Sequence, residues 1–252
     1  MEKEINLKAI IFDKDGTLFD YSSVWHEVIS KSIDKAFNKT NIKRKEKRKK
    51  DLIQLLGIDE DGKTIASGVI FSHGKFNITK KGLKYCLTNF IRPSSLIKFT
   101  KKIQEYNNIL IEEKIKSMDF SKQKKLFKSL KDQGYKIGIV TIDNKISAEL
   151  FVKYMDIEKY VDYLSTNDDD LKNKPNPDSL NYFCNKFNIF PEEVAIVGDT
   201  ISDMKYAING KAGYKIALLW GSNDYTNLKK YADVIYPNLY YLLEDNVIFN
   251  NK

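Results

Sequence analysis

Cysteine and histidine are scarce in this sequence. Its 252 residues include two cysteines, Cys86 and Cys184, and two histidines, His26 and His73. The cysteines lie far apart and form no CxxC pair, so the sequence offers no disulfide framework and no thiolate metal cluster, and it favours a reducing compartment. The histidines fall outside every motif described below, and we interpret them as packing or surface residues.

Long apolar runs are also missing. No stretch approaches the roughly 20 apolar residues that a membrane-spanning helix needs. The residues before Ala9 contain no apolar segment of the kind found in signal peptides. We therefore expect a soluble, cytoplasmic protein without a membrane partner. The hydrophobic share of 42% is high enough to build a large core, so disorder is not expected.

The charge is unbalanced, with 42 Lys and Arg against 34 Asp and Glu, a formal net charge of +8. Such an excess suits an anionic partner: a nucleic acid, a phosphate ester or a membrane surface. The most basic run is 43–50, with the sequence KRKEKRKK. No aromatic residues interleave it to stack on bases, so we interpret it as a solvated helix face and expect no nucleic-acid partner. A role in attracting an anionic substrate stays open.

The pattern of apolar residues divides the chain into two kinds of structure. The run 9–12 is typical of a buried strand, and 20–117 then shows apolar residues at helical spacing without strand alternation. From residue 118, helices alternate with short apolar strands, which predicts a parallel sheet with right-handed crossovers. The expected fold is α/β: a doubly wound parallel sheet built from 1–19 and 118–252, with a helical insert.

The predicted strands of the second half are short apolar runs. They cover 137–140, 161–164, 194–197, 216–219 and 234–235. In an open parallel sheet, functional groups gather beyond the carboxyl ends of the strands. The polar residues that follow the first strand, at 9–12, are Asp13 and Asp15, and those that follow the later strands are Thr141, Lys174, Asp199 and Asp203.

Several carboxylates in one pocket need a compensating charge. A buried, uncompensated charge such as that of Asp13 at the end of an apolar strand is costly. Lys174 supplies one cation, and a hard divalent cation is the simplest second one. Mg²⁺ binds carboxylate and carbonyl oxygens and keeps several waters, which suits a site that also admits a phosphate. The sequence therefore predicts Mg²⁺ as the cofactor.

Each of these residues also has a purely structural interpretation. Asp13 and Asp15 could form a helix cap or an Asx turn, and Asp199 could cap the following helix. Thr141 could close a strand end, and Asp203 could favour a helix dipole as an acidic residue of the first turn. Their joint arrangement after successive strands favours the functional interpretation.

These residues resemble the four motifs of the haloacid dehalogenase superfamily. Asp13-Lys14-Asp15-Gly16-Thr17 resembles the first motif and Thr141 the second. Lys174, in Lys-Pro-Asn-Pro-Asp, resembles the third, and the run Gly-Asp-Thr-Ile-Ser-Asp at 198–203 resembles the fourth. The resemblance covers 7–20 and 119–236. The insert at 20–117 is similar to the cap of the helical-cap branch, which includes phosphoglycolate phosphatases, and it would form a helical cap domain.

The resemblance implies a mechanism centred on two carboxylates. Asp13 would attack phosphorus and form an aspartyl-phosphate. Asp15 would protonate the leaving alkoxide and then take a proton from water. Mg²⁺ would lie on the Asp13 carboxylate, the backbone carbonyl of Asp15 and Asp199, where it would offset the repulsion between nucleophile and ester.

Two further residues are implied to hold the phosphate. The hydroxyl of Thr141 and the ammonium of Lys174 would bind the oxygens that are not transferred. Asp203 would play a supporting role by orienting Lys174 or a metal-bound water. Lys172 remains a rival to Lys174 in the third motif. Many relatives carry Asn after the motif threonine, whereas this sequence has Ile142 there, followed by Asp143.

The resemblance implies a Mg²⁺-dependent phosphatase acting on a small phosphorylated metabolite, either phosphoglycolate-like or a sugar phosphate. Asp15 favours a phosphate ester over a carbon–halogen bond, because a halide leaving group needs no proton. Alternatives are a sugar phosphomutase with the same pair, or a non-catalytic phosphate-binding or nucleic-acid-binding protein. His73, Lys75 and Arg92 in the insert are candidates for substrate selection. The protein could be a monomer or a homodimer.

Overall fold

A computed structural model describes residues 6–38, 47, 50, 87, 93–222 and 224–249. The chain divides into two compact units. The first unit comprises Met1–Tyr21 and Asp119–Lys252, and the second comprises Ser22–Met118. The first unit contains the sheet and all six residues that the sequence singles out as site candidates.

Six parallel strands form the sheet of the first unit. They are β1 (Ala9–Phe12), β2 (Lys136–Val140), β3 (Tyr163–Ser165), β4 (Val194–Gly198), β5 (Tyr214–Leu218) and β6 (Val234–Tyr236). Their order in the sheet is β3-β2-β1-β4-β5-β6, and every neighbouring pair is parallel. The predicted α/β fold with a parallel sheet is confirmed.

The strands of the second half match the predicted runs to within two residues at each end, and the two largest differences are at the starts of β3 and β5. β3 begins at Tyr163 rather than at residue 161. The residue before it, Asp162, contacts β2 through its side chain, because its carboxylate accepts the Ile137 N–H at 2.8 Å. β5 begins two residues before the predicted start, because Tyr214 pairs with Ala195 of β4.

Among the residues that the structure describes, eight α-helices flank the strands or lie in the second unit. The second unit contains α1 (Tyr21–Asn38), apart from its first residue, and α2 (Pro93–Lys116). The first unit contains α3 (Ser121–Asp132), α4 (Lys145–Tyr154), α5 (Asp178–Phe187), α6 (Ile201–Asn209), α7 (Tyr225–Leu228) and α8 (Asn246–Phe249). Most of the predicted insert between residues 39 and 92 lies outside the described residues. Of the helices that are described, none combines the length and apolar character needed to cross a membrane.

The central strand β1 is buried on both faces, which explains its continuous apolar run. All four of its residues are buried. Phe12 stacks on Phe127 of α3 with ring centroids 5.1 Å apart. Ile11 points to the opposite face, since side chains alternate along a strand, and there it joins the core that includes Phe183 of α5. Helices therefore cover the sheet on both sides and fix the position of the residue that follows β1.

The core can be tested at Phe127, which is fully buried, against Phe190, which is 72% exposed. Phe127→Ala leaves a cavity beneath β1 and should lower the free energy of unfolding by about 3–5 kcal/mol. Phe190→Ala removes the same atoms at the surface and should change it by less than about 0.5 kcal/mol. Urea denaturation of both variants measures the difference. Equal effects would contradict the assignment of this face as core.

Candidate active site

Two neighbouring strands deliver the central carboxylates. Asp13 follows β1 directly, and its backbone N–H donates to Val197 O of β4 at 2.9 Å. Asp199 follows β4 directly. Because the chain leaves β1 toward β2 and later crosses to β4 on the other side, the crevice between these strand ends is the topological switch point of the sheet. Carboxylate oxygens of Asp13, Asp199 and Asp203 all lie within 4.8 Å of one another.

Lys174 supplies the cation of this cluster. Its Nζ lies 2.5 Å from Asp13 Oδ1 and 2.6 Å from Asp203 Oδ1, and its side chain is only 6% exposed. The side-chain amide of Asn209, at the end of α6, donates to Pro175 O at 2.8 Å and anchors this loop. Lys172, the rival from the sequence, is exposed. The structure therefore brings Lys174 to the carboxylates.

The carboxylates are poorly compensated. Burial raises the pKa of Asp13 to about 7, even though the Lys174 ammonium lowers it. Burial, followed by the charges of Asp13 and Asp203, raises the pKa of Asp199 well above its ordinary value. Burial alone would lower the pKa of Lys174, but the two carboxylates outweigh it and the pKa is raised. Among the residues that the structure describes, three carboxylates face one ammonium, and this leaves an excess of negative charge that a cation would relieve.

Two glycines make room for the Asp199 carboxylate. A Cβ on Gly16 would lie 2.4 Å from Asp199 Oδ2, and one on Gly221 would lie 2.1 Å from it. Gly16 also has a φ of +81°, a conformation that favours glycine. The hydroxyl of Ser222 donates to the backbone carbonyl of Asp199. Gly221 and Ser222 have no role in the sequence prediction, and their signal is a Gly-Ser pair just beyond the end of β5.

Asp203 has its oxygens occupied by protein donors. Its Oδ2 accepts the backbone N–H of Thr200 at 3.0 Å and the Thr200 hydroxyl at 2.5 Å, while Oδ1 faces Lys174. The Thr200 hydroxyl oxygen in turn accepts the Asp203 N–H at 3.3 Å, which completes a capping box at the start of α6. Asp203 thus stabilises the helix start and also holds Lys174.

Thr141 and Asp15 lie at the same edge of the sheet. Thr141 is buried beyond the end of β2, where its N–H donates to Ser165 O at 2.9 Å. Its hydroxyl oxygen accepts the N–H of Asp143 at 3.2 Å. Asp15 lies in the turn after β1, and its side chain is 32% exposed. Among the described residues, the carboxylate cluster does not include the side chain of Asp15.

Lys14 is a residue to which the sequence pattern assigns no role. It is buried, and its Nζ lies 2.7 Å from Asp15 Oδ1 and 3.2 Å from Asp143 Oδ2. Burial lowers the pKa of Lys14, but the two carboxylates outweigh it and raise the pKa above the ordinary lysine value. The available signal was a lysine between two aspartates at the end of an apolar strand, a position where the side chain needs a counter-ion.

The carboxylates suit a hard divalent cation. Asp199 is buried, and in the part of the chain that the structure describes its carboxylate accepts only one long hydrogen bond, at 3.4 Å from Thr17 Oγ1. A buried carboxylate with so little compensation is an appropriate ligand for a metal ion. Asp13 and Asp199 are the available pair of carboxylates, since Asp203 is occupied by Thr200 and Lys174.

The family model of haloacid dehalogenase-like hydrolases matches residues 7–210. The chain belongs to this family. The matched range runs from β1 through α6 and contains all six candidate site residues. A hydrolase is therefore the class of enzyme to which this site belongs.

Several curated relatives with similar sequences are named pyrophosphatase PpaX. The chain is 36% identical over 88 residues to pyrophosphatase PpaX of Bacillus cereus. The matched segment is 35% of this chain and 40% of the relative. It thus spans less than half the length of this relative. A Clostridium perfringens protein, provisionally named pyrophosphatase PpaX, is 25% identical over 207 residues, or 82% of this chain and 81% of the relative.

Solved structures with similar folds cover almost the whole chain. A Thermotoga maritima protein provisionally called a β-phosphoglucomutase has a TM-score of 0.66 at 19% identity, covering 94% of this chain and 97% of that one. A protein from Haemophilus somnus, described as a predicted phosphoglycolate phosphatase, has a TM-score of 0.63 at 17% identity, covering 96% of this chain and 99% of that one. At these identities the likeness shows the fold.

Lys174→Met tests whether the ammonium is needed to bury the carboxylates. Without divalent cations, this change should lower the free energy of unfolding by about 3 kcal/mol, because it leaves Asp13 and Asp203 without their cation. Lys172→Met is the matched control and should change it by less than about 0.5 kcal/mol. Urea denaturation in the presence of EDTA measures both. A larger effect at Lys172 would contradict the placement of Lys174.

Proposed function

We propose that the chain is a phosphatase that uses Mg²⁺ to hydrolyse a small phosphomonoester through an aspartyl-phosphate on Asp13. The observation that carries this proposal is the Lys174 ammonium, bonded to Asp13 and Asp203 beside the buried Asp199. Such an arrangement combines an anionic nucleophile with a cation that attracts an anionic phosphate. Membership of a hydrolase family supports the same conclusion.

The first chemical step forms the covalent intermediate. A carboxylate oxygen of Asp13 attacks phosphorus, a new P–O bond forms, and the ester P–O bond breaks. The departing alkoxide takes a proton from the carboxyl group of Asp15. The partly exposed side chain of Asp15 is consistent with a group that reaches a substrate arriving from solvent.

The second step restores the enzyme. Asp15, now ionised, takes a proton from water as the water oxygen attacks phosphorus. The bond between phosphorus and the Asp13 oxygen breaks and releases inorganic phosphate. The two steps thus use one carboxylate as nucleophile and the other as proton carrier, so neither residue can replace the other.

Thr141 and Lys174 would hold the oxygens of the phosphate that are not transferred. The hydroxyl oxygen of Thr141 already accepts the Asp143 N–H. Its own hydrogen is then directed away from that contact and can donate to a phosphate oxygen. Such positioning provides most of the catalysis in phosphoryl transfer.

The Mg²⁺ ion would be held by the carboxylates of Asp13 and Asp199 and by the backbone carbonyl of Asp15. When bound, it would supply positive charge against the repulsion between the carboxylate nucleophile and the anionic ester. Gly16 and Gly221 serve this role by leaving the space that Asp199 occupies.

Phosphoglycolate-like esters and sugar phosphates are the proposed substrate class. The names of the relatives and neighbours add pyrophosphate and a hexose phosphate as test compounds. The second unit is proposed as the cap domain, with bounds near 20–117, and we propose a cytoplasmic location. A sugar phosphomutase is the alternative, because it would use the same pair of carboxylates.

Purified protein with Mg²⁺ should release inorganic phosphate from at least one member of a panel of phosphate esters. Asp13→Asn removes the nucleophile and should lower kcat more than about 1,000-fold, as expected when one member of a catalytic unit is lost. Phosphate release assays on both proteins measure this. The protein's fold in the variant is checked by circular dichroism.

Product analysis separates the alternatives. Conversion of one hexose phosphate isomer to another without phosphate release would identify a phosphomutase. If the wild-type protein turns over no compound in the panel, the proposed catalysis is contradicted and a phosphate-binding protein is left. Unchanged turnover in Asp13→Asn would contradict the covalent mechanism.

Metal binding by Asp199 can be measured without activity. Mg²⁺ at 100 times its Kd should stabilise the protein by about 2.7 kcal/mol and raise its Tm by several degrees. Asp199→Asn should abolish most of this shift, because it removes a buried ligand charge. Asp132→Asn alters an exposed carboxylate that pairs with Lys128 and should retain the full shift. Equal shifts in the two variants would contradict the proposed metal site.

A further inference from the structure

Lys14 is a buried cation that the proposed chemistry leaves unused. It lies in the turn after β1 and is 4% exposed. A buried ammonium is costly unless carboxylates surround it. Its Nζ is 2.7 Å from Asp15 Oδ1 and 3.2 Å from Asp143 Oδ2, and it lies 4.9 Å from the centre of the Phe151 ring. The three contacts come from three different segments, so they fix the ammonium in one place.

Asp143 is itself firmly placed. Its backbone N–H donates to Thr141 Oγ1 at 3.2 Å, and its backbone carbonyl accepts the Asn167 N–H at 2.9 Å. Its Oδ1 accepts the Asn144 N–H at 2.8 Å, which leaves Oδ2 for Lys14. Lys14 therefore connects the turn after β1 to a rigid loop after β2.

The two carboxylates on Lys14 differ in what they can reach. The Asp143 side chain has protein partners on both oxygens. Asp15 Oδ1 accepts a hydrogen bond from the Lys14 ammonium, and 32% of the Asp15 side chain is open to solvent. The Lys14 ammonium is paired with both Asp143 and Asp15. It therefore holds the Asp15 side chain in place while part of its charge is balanced by Asp143. In the described part of the chain, the second oxygen of Asp15 has no hydrogen-bond partner, and we assign it the proton transfer.

We propose that Lys14, anchored by Asp143, is a positioning residue that holds Asp15 in the orientation needed to protonate the leaving group. This inference rests on the proposed function. It concerns the step in which the ester P–O bond breaks and the alkoxide oxygen receives the Asp15 proton. Lys14 acts through Asp15 and does not touch the reacting atoms.

The dependence on leaving group distinguishes positioning of a general acid from a structural role. An alkyl phosphate loses a strongly basic alkoxide and needs the proton, whereas p-nitrophenyl phosphate loses a stable phenolate and does not. The constant kcat/KM reports the steps up to the formation of the aspartyl-phosphate, which includes this proton transfer. Damage that is merely structural lowers kcat/KM for both esters alike.

The test compares kcat/KM for propyl phosphate and p-nitrophenyl phosphate with Mg²⁺. Lys14→Met should lose about 10- to 100-fold on propyl phosphate, within the range of general acid–base catalysis, and less than about 3-fold on p-nitrophenyl phosphate. Lys14→Arg should recover part of the loss, because its cation can still bridge Asp15 and Asp143. Asp15→Asn is the reference and should show the same selective loss. Lys8→Met, which removes an exposed lysine that pairs with the partly buried Glu193, should change neither value.

A second variant keeps the test valid if Lys14→Met does not fold. Asp143→Asn retains Lys14 but weakens its anchor, and it should also lose more on propyl phosphate than on p-nitrophenyl phosphate. Equal losses on the two esters, or no loss on propyl phosphate, in the variant that folds would overturn the positioning role while the wild-type activity stands. If the wild-type protein hydrolyses neither ester, nor any other phosphate compound, the proposed function fails and this inference fails with it.

Discussion

The contact of Lys174 with Asp13 and Asp203 is the interaction on which the site depends. Both carboxylates are largely withdrawn from water, and each would be costly there without the ammonium between them. The contact joins three segments: the turn after β1, the loop before α5 and the first turn of α6. It therefore fixes the loop geometry of the sheet edge at the same time as it places a cation beside Asp13, the proposed nucleophile.

The sheet topology explains why these segments meet. β1 lies in the middle of the sheet, between β2 and β4. Its neighbours end at the same edge because all three strands are parallel, so the residues that follow them are brought within reach of one another. Asp199 then occupies a space bounded by Gly16 and Gly221, where any larger side chain would collide with it. Backbone geometry thus supplies both the placement of the carboxylates and the room around them.

The sequence predicted the carboxylate positions because their signal is local. Asp13 and Asp199 each follow a short apolar run, and parallel strands place such residues at one edge. The contact between Lys14 and Asp143 could not be predicted in this way, since each residue is an ordinary charged residue within its own segment. The same holds for Gly221, whose importance lies in its distance to a carboxylate from another strand. Local patterns predicted the fold and which side chains lie together at this edge of the sheet, whereas pairings between distant segments required the structure.

The central claim is that Asp13 becomes covalently phosphorylated during turnover. The most direct measurement is acid quenching of the enzyme during turnover of a good substrate with Mg²⁺, followed by peptide mass spectrometry. The account predicts a phosphorylated peptide that contains residues 9–20, with the phosphate on Asp13, and no such peptide from Asp13→Asn. Phosphate on another residue, or steady turnover without any phosphorylated peptide, would contradict the account.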